Sequence, residues 1–201
     1  MPAPAPAKPS VWFVDTSSLL SLAADGNLRQ IVMDELVPHR RVLLDVVVDE
    51  LTGLADHGPP DTRSLAGTAL GQADWLGEPV DTGELAPPAR VVEIRDIMRG
   101  GRSLRHPAEH WAESVIMAVA ERLQQVAPYL LCEDYDARVE ALHHNITPYS
   151  THKLLARMVQ DSSLPADKAA AVAASLEALG RGKDYTAAEF ISGRLGRVGR
   201  P

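Results

Sequence analysis

The sequence predicts an α/β fold of three layers, in which helices flank a central parallel β-sheet. Up to about residue 150, short apolar runs of strand length alternate with stretches of helical periodicity. This alternation is typical of a parallel sheet covered by helices on both faces. Beyond residue 150 only helical patterns remain. We therefore expect a disordered Pro/Ala tail over 1–10, an α/β domain over 11–150 and an all-helical C-terminal extension over 151–201.

The first strand is predicted by the continuous apolar run at 11–14, because a parallel strand buried on both faces needs apolar side chains in succession. Start and stop signals bound several helices: Pro38 ends one, and Pro107 begins another. The expected strands are 11–14, 41–44, 126–132 and 145–147. The expected helices of the α/β domain run from the hydroxyl residues after Asp15 to Gly26, then over 28–36, from 45 onward, and over 62–75, 89–98, 108–125 and 137–143.

The C-terminal extension is expected to contain three helices. The first two cover 153–159 and 165–179, and Gly180 ends the second in the C-cap position. Thr186, with Glu189 three residues later, forms a capping-box pattern that opens the third.

Composition limits the classes of function. The formal net charge of -7 and the aromatic content of 4% argue against a protein that binds nucleic acid through a globally basic or base-stacking surface. An internal disulfide is impossible because Cys132 is the only cysteine, and this fits a reducing compartment. No apolar run approaches the length of a membrane span. We expect a cytoplasmic protein without membrane contact.

Four carboxylates occur where an α/β sheet places its chemistry, at and beyond the carboxyl ends of its strands. Asp15 and Asp134 follow predicted strands, and Glu50 lies in the helix after the second strand. Glu113 falls on the apolar stripe of its helix and should point inward. Asp15 alone could be a helix cap, but Ser17 and Thr16 are better placed to cap the helix, which frees the Asp15 carboxylate.

Several buried carboxylates can share a small space when a cation lies among them. Hard oxygen ligands suit Mg²⁺ or Mn²⁺, which can activate water for phosphodiester hydrolysis. The sequence contains no nucleophile elbow, P-loop, dinucleotide fingerprint or zinc-protease motif that would indicate other chemistry. In the alternative interpretation, each acid is a helix cap or a surface ion-pair partner.

Five segments together resemble the PIN-domain family, metal-dependent ribonucleases that include VapC-like toxins. These are VDTSSLL, VVVDEL, ESVIMAVA, LLCEDYD and NITPYS. The resemblance implies a three-layer PIN-like fold and Mg²⁺ or Mn²⁺ as cofactor. It implies metal binding and catalysis by Asp15, Glu50, Glu113 and Asp134, with Asp136 as an outer or second-metal ligand and Ser17 orienting the site. Glu113, Cys132 and Ala137 depart from the residues commonest at these positions in the family.

Arginines before the Glu113 helix could hold an RNA backbone, and Ser17 could contact RNA beside Asp15. The candidates are Arg99, Arg102 and Arg105. They could equally form only a solvated rim. The main hypothesis is a metal-dependent endoribonuclease acting on RNA, a candidate toxin with an antitoxin protein as partner, in the form of a homodimer. The alternative is a catalytically silent PIN-like module that binds RNA or a protein. A phosphotransfer protein using Asp15 as acceptor would need a partner lysine that the pattern does not supply.

Overall fold

The computed structural model describes residues 8–103, 109–181 and 184–196. Its centre is a four-stranded, all-parallel sheet flanked by helices, so the predicted α/β class is confirmed and the layers are consistent with a PIN-like arrangement. The strand order is β2-β1-β3-β4. The strands are β1 Ser10–Val14, β2 Arg40–Val42, β3 Ala127–Leu131 and β4 Thr147–Tyr149.

Strand β1 lies in the middle of the sheet and fixes the register of its neighbours. Val11 is paired with Arg40 of β2, and Val14 is paired with Leu131 of β3. Because β1 lies inside the sheet and helices cover both faces, every side chain from Val11 to Val14 is buried, as the apolar run predicts. Because these strands are parallel, their carboxyl ends meet at one edge of the sheet, where the amide of Asp15 donates to the carbonyl oxygen of Leu131 at 3.0 Å.

The helices largely follow the expected pattern. They are α1 Thr16–Ala24, α2 Gly26–Leu36, α3 Asp45–His57, α4 Pro60–Gly71, a 3-10 helix Ala73–Leu76, α5 Pro88–Arg99, α6 Trp111–Ala120, α7 Tyr135–His143, α8 Thr151–Gln160, α9 Ala166–Ala178 and α10 Ala187–Ser192. Among the helices of the described ranges, none has the length and apolar character needed to cross a lipid bilayer.

Several predicted boundaries are wrong. The helix expected over 62–75 is interrupted at Gln72, between α4 and the 3-10 helix. Strand β2 ends at Val42 and not at 44, because Leu44 pairs with Val80 instead. Helix α6 ends at Ala120 and not at 125, because tight turns follow it, in which the amide of Leu123 donates to the carbonyl oxygen of Ala120. Strand β4 begins at Thr147 and not at 145, because Asn145 has a positive φ of 57° and closes the C-terminus of α7. Helix α6 begins at Trp111 and not at 108, because its N-cap residue His110 has a positive φ of 58°. The tail expected over 1–10 ends earlier, because Ser10 already belongs to β1. Pro107 and residues 1–7 lie outside the described residues.

Helices α8 to α10 pack into the same hydrophobic core as the sheet. Leu154, Leu155, Leu176 and Phe190 are each fully buried in it. The sequence signals at the helix ends are confirmed: Thr186 and Glu189 form a reciprocal capping box at α10, and Gly180 follows α9 with a φ of 68°. These helices therefore share one hydrophobic core with the sheet.

Candidate metal centre

Asp15 lies at the carboxyl end of β1 and caps helix α1. Its Oδ2 atom accepts hydrogen bonds from the backbone amide of Ser17 at 3.1 Å and from the Ser17 hydroxyl at 2.7 Å. The prediction that Ser17 or Thr16 caps this helix is wrong. The helix starts directly after the strand, so Thr16 is already its first residue and the cap position falls on Asp15.

The cap uses only one of the two carboxylate oxygens of Asp15. Oδ1 is buried and has no hydrogen-bond partner among the described residues, and the whole side chain is 2% exposed. An unsatisfied buried acceptor is costly, so this atom indicates a missing partner. The interpretation of Asp15 as a helix cap and its interpretation as a metal ligand are therefore compatible, because the cap uses Oδ2 and a metal would use Oδ1.

Glu113 and Cys132 converge on Asp15 from separate elements. One ligand atom of each of these three residues lies within 4.8 Å of the other two. Glu113 stands in the first turn of α6 and points inward, as its place on the apolar stripe predicts. Cys132 directly follows β3, and its Sγ lies 3.6 Å from Asp15 Oδ2. Three distant segments thus meet at one edge of the sheet.

Glu50 and Asp134 lie close enough to add their charges to this group. Glu50 Oε2 accepts a 2.7 Å hydrogen bond from the hydroxyl of Thr16, the residue after Asp15. Asp134 caps α7 through a 2.9 Å bond from the amide of Ala137. The charges of Asp15, Glu50 and Asp134 all act on Glu113. Of the four predicted acids, the structure therefore brings Asp15 and Glu113 together with Cys132, and it places Glu50 and Asp134 around this group, outside the set of ligand atoms within 4.8 Å of one another.

Asp136 does not join this cluster. It occupies the exposed side of the first turn of α7, and its Oδ2 pairs with Arg102 Nη2 at 3.1 Å. Its predicted role as an outer or second-metal ligand has no support in this geometry. The reason is the helical turn after Asp134, which directs Asp136 toward α5 and the loop that follows it.

Burial and crowding of like charge shift the protonation of the cluster. Burial raises the pKa of Asp15. Burial and the charge of Asp15 raise the pKa of Glu50 to about 7 and hold the pKa of Glu113 well above its usual value. Burial, with the charges of Asp15 and Glu113, raises the pKa of the Cys132 thiol well above its usual value. Such a group either takes up protons or binds a cation.

Ser17 orients Asp15, as the resemblance implies. Its hydroxyl donates to Asp15 and accepts a 3.1 Å bond from the amide of Glu133. Because the hydroxyl makes both of these hydrogen bonds within the protein, Ser17 is less suited to the RNA contact predicted for it. Sequence reasoning missed Cys132 and Thr16 as members of the site, and the only available signal was their position beside acids at strand ends.

A cleft of about 800 Å³ opens between α3 and the start of α6. Glu50 and Glu113 line it, so the cleft connects the acidic cluster with the surface. Among the described residues that line the cleft there is no lysine or arginine. Further lining residues include Asp49, Leu54, His57, Trp111 and Glu109.

The predicted RNA-contacting arginines lie beside this cleft. Arg99 and Arg102 line a small crevice with Glu109 and His110, which also line the cleft. Arg99 pairs with Asp96 at 2.8 Å, and Arg102 is more than half exposed while it pairs with Asp136. Arg105 lies outside the described residues.

The donor set fits a divalent cation. Carboxylate oxygens are the ligands that Mg²⁺ and Mn²⁺ prefer, and a cation would satisfy the buried Asp15 Oδ1. The thiol of Cys132 adds a softer donor to the same group. Comparisons of the chain with models of protein families, with curated proteins and with solved structures find no match.

Proposed function

We propose that this protein is a Mg²⁺- or Mn²⁺-dependent endoribonuclease of PIN type. The observation that supports the proposal is the convergence of Asp15 and Glu113, whose ligand atoms lie within 4.8 Å of each other at the carboxyl edge of a parallel sheet, with Glu50 held beside them by Thr16. A buried oxygen of Asp15 has no hydrogen-bond partner in the described part of the chain. Crowded buried carboxylates of this kind are stable when they hold a cation.

The roles of the side chains follow from their contacts. Asp15, Glu50 and Glu113 would hold the metal, with Asp134 at the edge of the group. Ser17 fixes the orientation of Asp15, and Thr16 fixes that of Glu50. When bound, the metal supplies an activated water and positive charge for the developing phosphate oxygens.

The cleft determines how a substrate can reach these acids. Its lining in the described residues contains Asp49, Glu50, Glu109 and Glu113 and neither lysine nor arginine, so a polyanion finds no opposite charge of that kind there until cations are bound. Arg99 and Arg102 lie at the rim, where guanidinium groups can hold a phosphate next to the one being cleaved. This arrangement favours cleavage inside an RNA strand that lies along the rim, once the metal is bound.

The test is RNA cleavage by the full chain with EDTA, Mg²⁺ or Mn²⁺, comparing wild type with Asp15→Asn. We expect metal-dependent cleavage by wild type and a loss of at least about 100-fold in the variant, on the scale of lost metal affinity. Asparagine keeps an acceptor for the Ser17 amide, so helix α1 keeps its cap. Glu113→Gln is a second variant, with the same expected loss and no capping role.

The matched control is Asp49→Asn, which removes one charge from the same cleft at an exposed position adjacent to Glu50. We expect its cleavage rate to stay within about threefold of wild type. Absence of cleavage by wild type with either metal would refute the proposal, as would full activity of Asp15→Asn. RNA binding without cleavage by metal-loaded wild type would favour the silent binding module.

A further inference from the structure

We propose that Cys132 makes this cluster a mixed oxygen and sulfur site, which binds a thiophilic divalent cation such as Zn²⁺ or Co²⁺ through Cys132 Sγ. The inference rests on the proposed function, because Asp15 and Glu113 serve both. It goes further, because hydrolysis of a phosphodiester requires no sulfur ligand.

The first support is the spacing of the three side chains. The ligand atoms of Asp15, Glu113 and Cys132 lie within 4.8 Å of one another, and Cys132 Sγ is 3.6 Å from Asp15 Oδ2. A tetrahedral ion with an oxygen at about 2.1 Å and a sulfur at about 2.3 Å separates those two atoms by about 3.6 Å. Sγ already lies at that distance from one oxygen of Asp15, Oδ2, and the second oxygen of the same carboxylate, Oδ1, has no hydrogen-bond partner among the described residues and is the one left for the ion.

The second support is the buried oxygen of Asp15. Because Oδ2 accepts the bonds from Ser17 and Cys132, Oδ1 is a buried lone-pair donor without a hydrogen-bond partner in the described ranges, within the same carboxylate that faces Glu113. The Ser17 contacts supply the outer-shell hydrogen bonds that usually orient a ligating carboxylate. The carboxylate of Asp15 is thus oriented by Ser17, while its Oδ1 atom lacks a hydrogen-bond partner in the described ranges.

The third support is the rigid placement of the sulfur. Cys132 follows β3 directly, its amide donates to the carbonyl oxygen of Tyr149 at 2.8 Å, and its carbonyl oxygen accepts from Arg138 Nη1 at 3.0 Å. The backbone on both sides of the thiol is therefore fixed. A preorganised ligand of this kind costs little conformational entropy on binding.

The chemistry of binding is an exchange of a proton for a metal ion. The S–H bond of Cys132 breaks, its proton passes to solvent, and the sulfur lone pair forms the bond to the cation, with no change of oxidation state. Thiolate selects Zn²⁺ or Co²⁺ strongly over Mg²⁺, which prefers oxygen. We therefore expect the site to bind Zn²⁺ far more tightly than Mg²⁺.

The experiment is a titration of the chelator-treated full chain with Co²⁺, followed by the sulfur-to-cobalt charge-transfer absorption, and then displacement by Zn²⁺. Wild type should show the band and lose it as Zn²⁺ replaces Co²⁺. Cys132→Ser should show no band and should bind Zn²⁺ at least about 100-fold more weakly. Its affinity for Mg²⁺ should change by less than about threefold, because oxygen donors bind that ion.

Controls separate this inference from the proposed function. Asp49→Asn should retain the band. Absence of the band in wild type, with Mn²⁺ still bound, overturns the sulfur ligand and leaves the nuclease proposal intact. Failure of wild type to bind Mn²⁺ or Mg²⁺ overturns the nuclease proposal. Should Cys132→Ser and Cys132→Ala both fail to fold, the wild-type band still decides, because the chain has no other cysteine.

Discussion

Replacing Glu50 by glutamine should stabilise the protein at pH 8 and have little effect at pH 5, with metal removed by a chelator. Burial and the charge of Asp15 raise the pKa of Glu50 from its usual 4.5 to about 7. Between these values the folded state holds a proton that the unfolded state has released, so the free energy of unfolding falls as pH rises through this window. Glutamine resembles the protonated form and keeps an acceptor for Thr16.

The magnitude follows from the same two values. At about 1.4 kcal/mol per pH unit, the interval from 4.5 to about 7 corresponds to roughly 3 kcal/mol. Glu50 is only partly buried, and solvent screening reduces this to about 2 kcal/mol. For a chain of this size, such a gain at pH 8 raises the melting temperature by about 4 to 8 °C.

The assay is urea unfolding of wild type and Glu50→Gln at pH 5 and pH 8. At each pH, the free energy of unfolding of wild type is subtracted from that of the variant. The double difference is the result at pH 8 minus the result at pH 5. The titration of groups that do not interact with Glu50 cancels in this double difference, whereas Asp15 and Glu113 titrate together with Glu50 and contribute to it. Glu78→Gln is the control, because it removes a carboxylate from an exposed position, and it should give no double difference.

A double difference below about 0.5 kcal/mol for Glu50→Gln would refute the reasoning, and so would an equal value for Glu78→Gln. Mn²⁺ extends the test at pH 8. If Glu50 is a ligand, the ion should stabilise wild type more than Glu50→Gln, because binding to the folded state adds to its stability.

Two further variants, Arg138→Met and Phe190→Ala, test the packing of buried side chains, and each has an exposed control. Arg138→Met should cost about 3 kcal/mol in urea unfolding, because Arg138 donates to Asp184, to the buried carbonyl oxygen of Cys132 and to the partly buried one of Glu133. Arg102→Met, at an exposed ion pair, should cost less than about 1 kcal/mol. Equal losses would contradict this account. Phe190→Ala should cost about 3 kcal/mol, because this side chain is fully buried in α10, while Ile191→Ala, 64% exposed, should cost less than about 0.5 kcal/mol. An unchanged transition for Phe190→Ala would mean that α10 is not part of the cooperative core.

The sequence by itself determined the order of strands and helices, the parallel sheet and the ends of several helices. Each of these depends on residues close together in the chain. The run at 11–14 is apolar throughout because β1 is buried on both faces, and the Thr186 capping box joins residues three positions apart. The inward direction of Glu113 follows in the same way from the period of its own helix.

Only the tertiary structure decided which atoms meet at the site. The register that pairs Val14 with Leu131 places Asp15 beside Cys132, although 117 positions separate these two residues in the chain. It also decided that Asp15 caps α1 with one oxygen and buries the other without a hydrogen-bond partner among the described residues, and that Asp136 pairs with Arg102. Periodicity and capping signals reach only about one helical turn, whereas a ligand set depends on the packing of elements that the chain brings together from far apart.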